Sequence, residues 1–206
     1  GGIAKVSQLV KSEKSNNPNA IFLHAGDYSV GDFYYNGFKG VPELQILKSM
    51  GCDALTVGNH EFDLGPAVFN SSLSQAFSSG SFPILSANLD LSGFPQLSTF
   101  ITPSVIINKG GVNVGIFGMT TPYEISNASP VVIQTNITEI IGNTVTALQN
   151  SGANVIVFLS HLGSTSDSVI AGSIPGIHII VSGHDHKSLY TPVLIPNPAG
   201  YNTIQV

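Results

Sequence analysis

Charge is what this chain has least of. Only 9% of its 206 residues are charged, far below the usual quarter or so. Lys and Arg together number 7 against 12 Asp and Glu, for a net charge of -5. So few cations exclude the basic footprint that nucleic-acid polymers require. Any phosphate-handling chemistry must then rest on metal ions and backbone amides. Cysteine is nearly absent as well. Cys52 stands alone, so no intrachain disulfide can form and the redox compartment stays open. Beside an apolar run, it reads as a buried structural thiol. No apolar run approaches the roughly 18 residues of a membrane-spanning helix, and no leader pattern precedes the fold. Gly1-Gly2 opens without an initiator Met, which reads as a mature form or a fragment. Gly, Ser, Thr and Asn replace charge at the surface, a composition associated with extracellular, periplasmic or cell-surface proteins.

What is present is an alternation of helical and strand patterns, 42% hydrophobic overall, within one domain covering 1–206. Ile3, Val6, Leu9 and Val10 recur at helical spacing over 3–15, with Pro18 beyond. A strand over 20–25 follows, then a Gly- and aromatic-rich loop over 28–40. Pro42-Glu43 opens a helix that Gly51 stops. A strand at 53–57, a helix from Gly65-Pro66 to about 79 and a strand near 83–88 come next, and the stretch to about 104 is poorly patterned. Residues 105–108 and 112–117 pair as a hairpin across Lys109-Gly110-Gly111. A helix over 138–150, a strand at 154–159, a helix over 165–172 and a strand at 177–181 complete the alternation. Residues 192–206 read as extended. The class is α/β.

Several apolar runs stop abruptly on metal-binding residue types. Ala20-Ile21-Phe22-Leu23 runs into His24-Ala25-Gly26-Asp27, and Ala54-Leu55-Thr56-Val57 into Gly58-Asn59-His60-Glu61-Phe62-Asp63. Val155 to Leu159 ends on Ser160-His161, and Ile177 to Val181 on Ser182-Gly183-His184-Asp185-His186. Residues just past the C-terminal end of a strand are where α/β folds build their sites. One such terminus means little, but repeated delivery of Asp, Asn and His is a metal-site signal. His60 and Asp63 stand three apart, close enough for the carboxylate to orient the ring and support its protonated form.

Gly-Asn-His-Glu-Phe-Asp, with Gly-Asp upstream and Gly-His-x-His downstream, resembles the calcineurin-like metallophosphoesterases. Within them it is most similar to the 5'-nucleotidase family, which includes UDP-sugar hydrolase and 2',3'-cyclic phosphodiesterase. Gly1-Gly2-Ile3-Ala4-Lys5 also resembles that family's Gly-Gly-x-Ala-Arg helix, with Lys in place of Arg. The resemblance implies a four-layer α/β/β/α sandwich with mixed sheets. It implies that Asp27 bridges two divalent metals, that Asn59, His161 and His184 complete one metal's ligands, and that His186 serves the other. His60 matches the catalytic histidine, held by Asp63. Mixed His, Asn and carboxylate ligation suits Zn, Mn, Fe or Co better than Ca or Mg. A bridging carboxylate holds two cations about 3.5–4 Å apart, where a shared water ionises and attacks phosphorus in line.

Relatives carry an Asp-x-His pair on a strand before the Gly-Gly helix and a separate substrate domain after this segment. The expectation is therefore a catalytic domain incomplete at both ends, whose partners include the missing segments of the same protein. The expected function is hydrolysis of a small phosphoester, with a nucleotide as the leading substrate class. The alternative is an inactive metallophosphatase-like module of an extracellular assembly, and a branch of the family acting on sulfur-linked substrates is a third reading. His24 and His178, inside apolar runs, are expected to be satisfied core histidines. Glu61 reads equally as a partner behind the ligands or as a salt-bridge residue, and Asn88 equally as a turn former or a residue near the site. Asp185 is expected to support the turn between two ligands, and the aromatic loop to pack over a helix.

Overall fold

The computed structural model describes residues 2–31, 33–125 and 127–206. Two sheets lie at its centre. The first is parallel, with β1 (Leu23–His24), β2 (Ala54–Thr56), β3 (Ile84–Leu85) and β5 (Ile101–Thr102) in that order. The second has a parallel heart of β7 (Val112–Thr120), β9 (Val155–His161), β10 (Ile179–Ser182) and β12 (Asn202–Gln205). Antiparallel β6 (Ser104–Lys109) and β11 (Val193–Pro196) close its two edges. A small antiparallel pair, β4 (Leu89–Asp90) with β8 (Val132–Ile133), stands apart.

Side chains alternate across the second sheet with the period of two that a strand imposes. Val114 and Ile116 of β7, with Val157 and Leu159 of β9, meet Ala54 and Leu85 of the first sheet. Phe117, Met119, Ile156 and Phe158 face the other way. There they bury the inner stripes of α5 (Ile137–Asn150) and α6 (Ser164–Ser173), including Ile141, Val145, Leu148 and Ile170. Phe117 stacks on Phe158 with centroids 4.7 Å apart. On the outer side of the first sheet, Leu44 and Leu47 of α3 (Val41–Ser49) and Phe69 and Leu73 of α4 (Gly65–Ala76) cover Leu55 and Ile84. Helices therefore cap both sheets, as expected of the α/β sandwich; the second sheet is mixed, and the first is parallel.

The β6–β7 hairpin turns on Gly110 (φ 59°) and Gly111 (φ 83°), the successive left-handed pair that matches strand twist. Cys52 is buried, and burial pushes its thiol up to about 12.

Some expectations need correction. Helix α1 (Ile3–Asn16) forms as its spacing predicts, yet none of its residues is buried: Ile3 is 50% and Leu9 61% exposed. The aromatic loop contains a short helix, α2 (Phe33–Phe38). Tyr28 packs into the core, whereas Phe33, Tyr34 and Phe38 face solvent. A single helical turn around Gly37 leaves too little apolar surface on one side to bury all these rings. The strand expected at 20–25 is reduced to Leu23–His24 on the edge of its sheet. The poorly patterned stretch holds β4, β5 and a 3-10 turn at Pro95–Thr99, elements too short to show a period.

Candidate metal centre

The C-terminal ends of β1, β2, β9 and β10 converge. Asp27 follows β1, Asn59 follows β2, His161 ends β9 and His184 follows β10. Ligand atoms of Asp27, His161 and His184 all lie within 4.8 Å of one another. His161 Nε2 is 2.9 Å from Asp27 Oδ2 and 3.1 Å from Asn59 Oδ1. His184 Nδ1 is 3.2 Å from the same Asn59 oxygen. Asn59 and His161 are buried, at 2% and 1% exposure. Such a cluster is short of positive charge.

Protonation behaviour shows the same tension. Burial raises the Asp27 carboxyl, but hydrogen bonding and attraction from His161 outweigh it and hold Asp27 below its ordinary value. Burial lowers His161, but the hydrogen bond and charge of Asp27 raise it overall. His184 is lowered, first by burial and then by repulsion from His161. The contact between His161 and Asp27 thus shifts each group toward its charged form. A carboxylate oxygen, an amide oxygen and two imidazole nitrogens, converging and largely buried, fit a borderline divalent cation.

The bracing comes mainly from Glu61 of the 3-10 turn His60–Phe62. Its buried carboxylate accepts from Gly58 N at 2.5 Å, Asp27 N at 3.1 Å, Ser29 N at 3.2 Å and Ser29 Oγ at 2.9 Å. Glu61 thus clamps the Asp27 loop to the Asn59 loop, which resolves the two readings its sequence position allowed. Gly58 is needed at the contact, because a Cβ there would lie 2.6 Å from Asp27 N and overlap its carboxylate.

His60 sits beside the cluster. Its backbone N donates to Asp27 Oδ1 at 3.0 Å, and its Nδ1 lies 2.7 Å from Asp63 Oδ2. Burial lowers the ring, but the Asp63 hydrogen bond and the Asp27 charge raise it overall. With Nδ1 committed to Asp63, Nε2 is the other polar edge of the ring. His186 is exposed and stands outside the donor cluster.

Backbone strain concentrates here. Asp27 (φ 56°), His184 (φ 82°), His186 (φ 53°) and Glu124 (φ 59°) are left-handed non-glycine residues, a conformation that persists only where surroundings enforce it. Asp185 Oδ2 accepts from Ser164 N (2.9 Å) and Oγ (2.6 Å) and pairs with Lys187 Nζ (3.2 Å). It therefore ties the His184–His186 turn to the start of α6, as expected of a turn support. Asn88 is a buried staple between the sheets and not a ligand in the cluster. Its side chain accepts from Thr120 N (2.9 Å) and Ser86 Oγ (3.1 Å), and donates to the carbonyls of Thr120 (2.7 Å) and Gln134 (3.3 Å).

The two histidines inside apolar runs differ. His178 is satisfied: Nδ1 accepts from Ile156 N at 3.1 Å, and the ring stacks on Tyr201. His24 corrects the expectation, because its buried Nδ1 has no partner among the described residues and burial lowers the ring to about 4. It borders a cavity of about 330 Å³ shared with Glu43, whose Oε2 is likewise buried without a partner. Glu124 was not singled out by sequence reasoning. Its carbonyl accepts from Asn59 Nδ2 at 3.4 Å, and its carboxylate lies 3.9 Å from His184 Nε2.

The chain belongs to the calcineurin-like phosphoesterase family, whose profile matches residues 1–188. It is 34% identical over 195 residues to the snake venom 5'-nucleotidase of Gloydius brevicauda, a match covering 93% of this chain and 33% of that protein. It is 34% identical over 207 residues to the trifunctional nucleotide phosphoesterase protein YfkN of Bacillus subtilis, covering 86% of this chain and 14% of that protein. Among solved structures, the 5'-nucleotidase precursor from Thermus thermophilus matches with a TM-score of 0.91 at 34% identity, over 100% of this chain and 43% of that one. The chain thus spans a third or less of those two curated relatives.

Proposed function

We propose that this chain is the catalytic domain of a metal-dependent phosphoester hydrolase that acts on nucleotides in the manner of a 5'-nucleotidase. The observation that carries the reading is the convergence of Asp27, Asn59, His161 and His184 beside the His60–Asp63 pair. These four residues would hold a divalent cation, and Asp27 and His186 are the residues that would serve a second. Zn, Mn, Fe or Co suits the donor set. When bound, such cations polarise a phosphoryl oxygen and lower the pKa of coordinated water.

The chain's own residues then have distinct tasks. Asp63 accepts from His60 Nδ1, which orients the ring and favours its protonated form, and in that form Nε2–H can donate to a phosphoryl or leaving-group oxygen. The His60 pKa is raised, with burial opposing and Asp63 and Asp27 prevailing, which favours the protonated ring. The His60 N–H to Asp27 Oδ1 bond sets the distance between this proton and the donor cluster. Glu61 keeps both loops in register. No helix among the described residues is long and apolar enough to cross a membrane. Low surface charge and the venom origin of one relative support an extracellular, periplasmic or cell-surface setting.

The exposed position of His186 favours a second reading, in which the domain is an inactive binding or structural module. Hydrolysis of AMP and p-nitrophenyl phosphate by the full-length protein, with Mn²⁺ or Zn²⁺ added, separates the two. Turnover should fall about 10²–10⁴-fold in His60→Ala. Absence of turnover with every divalent cation tried, or equal turnover in His60→Ala, would sink the enzymatic reading.

A further inference from the structure

The two imidazoles of the donor cluster use opposite ring nitrogens. His161 turns Nε2 inward to Asp27 and Asn59, while its outward Nδ1 meets the carbonyl of Ala25 at 2.5 Å. His184 turns Nδ1 inward to Asn59, and its outward Nε2 faces the carboxylate of Glu124 at 3.9 Å. A metal-binding histidine generally donates its outward N–H to a carbonyl or carboxylate, which fixes the tautomer and raises ligand basicity. Ala25 fills that place for His161. Glu124 stands in it for His184.

Glu124 reaches the cluster a second time. Its carbonyl accepts from Asn59 Nδ2, so the amide presents Oδ1 to both rings. One residue therefore addresses two of the donors, through its side chain and through its backbone. Its left-handed φ of 59° accompanies both contacts. The Glu124 side chain is otherwise 75% exposed. Among the described residues, its one ion-pair partner is His184.

We propose that Glu124 is a positioning residue for the cation site: its carboxylate faces the outward Nε2 of His184 at ion-pair distance and its carbonyl holds the Asn59 amide. The inference rests on the reading of Asp27, Asn59, His161 and His184 as cation ligands. It predicts a change in metal affinity at constant fold stability.

The test uses metal-free full-length protein titrated calorimetrically with Mn²⁺ and with Co²⁺. Wild type, Asp27→Ala, Glu124→Gln and Glu124→Gly are compared. Glu124→Gln keeps the size of the side chain and removes its charge, and Glu124→Gly favours the left-handed backbone while deleting the side chain. Both should raise the metal Kd about 10–100-fold and shift the visible Co²⁺ spectrum. The melting temperature of the metal-free protein should not move, because an exposed side chain with no packing role is being changed. Unaltered Kd in both Glu124 variants, with binding lost in Asp27→Ala, overturns the role of Glu124 and leaves the site standing. Weaker binding accompanied by an equal loss of metal-free stability also overturns it, in favour of a structural role. Wild type that binds neither ion, or Asp27→Ala that binds as wild type does, removes the site reading and the proposal with it.

Discussion

Asn88→Leu isolates what the polar staple between the sheets contributes. Asn88 is fully buried, and both ends of its amide are in use. Leucine has the same branched heavy-atom skeleton, so the cavity penalty of a truncation is avoided, and its bulkier methyl groups can only add to the loss. What remains is the polar loss. Thr120 N loses the acceptor 2.9 Å away, and the carbonyls of Thr120 and Gln134 lose donors at 2.7 and 3.3 Å. Orphaning a buried N–H costs about 1–3 kcal/mol and each lost donor about 1 kcal/mol, for about 3–5 kcal/mol in all. In a domain of this size, 1 kcal/mol moves Tm by about 2–4 °C, so the melting temperature should fall by about 6–20 °C. The assay is thermal melting followed by circular dichroism, with metal-free protein so that ligand binding adds nothing. Ser86 and Thr120 keep their hydroxyl pair at 2.8 Å, so the loss should not reach complete unfolding at room temperature. A drop of less than about half the lower bound, roughly 3 °C, would refute the reasoning, because water or rearranged backbone would then be replacing the amide.

Two further outcomes follow from the same physics. Burial raises the Asp53 carboxyl, but Lys14, the Phe22 N–H and Lys109 outweigh it and hold the group below its ordinary value. Its contribution is present above the unfolded carboxylate pKa and disappears as pH falls through the depressed folded value. The gap in urea midpoint between wild type and Asp53→Asn should therefore be wide near neutral pH and narrow at strongly acid pH. Equal gaps at both would contradict the assignment. Gly58→Ala places a methyl group against Asp27 at a point where backbone and carboxylate leave no space. The variant should lose at least about 10-fold in Mn²⁺ affinity measured by titration, and wild-type affinity would show that the two loops can part without disturbing the ligands.

The donor cluster was legible because it obeys topology. A parallel strand buried on both faces reads as a continuous apolar run, and its C-terminal end marks where polar groups appear. Asp27, Asn59, His161 and His184 lie at or just past such ends, so their convergence needed only that β1, β2, β9 and β10 share one direction. The β6–β7 hairpin was legible through Gly110-Gly111, whose conformational demand is local. The small β4–β8 pair was not, because two-residue strands carry no period. Helix α2 was hidden by Gly37 and by aromatics that favour strands elsewhere. His24 misled because an apolar neighbourhood in sequence does not supply a partner for a ring nitrogen. Glu124 escaped because half of its contact with the cluster is made by a backbone carbonyl, which no side-chain pattern reveals.

The strained residues carry the reasoning one step further. Left-handed φ at Asp27, His184, His186 and Glu124 disfavours the folded loops unless something compensates. The compensation is visible for Asp27 in the Glu61 carboxylate and for the His184–His186 turn in Asp185. Both braces are acidic groups, and both lie beside a cluster that already contains Asp27. Burial and then repulsion from Asp27 raise the Glu61 pKa, so the brace and the donor destabilise each other's charge. A cation at the cluster would relieve that repulsion while tightening the loop. The sequence therefore encodes acceptors and acidic braces in excess of their cationic partners, in a chain with only 7 Lys and Arg. That imbalance is what a site completed by a metal ion requires.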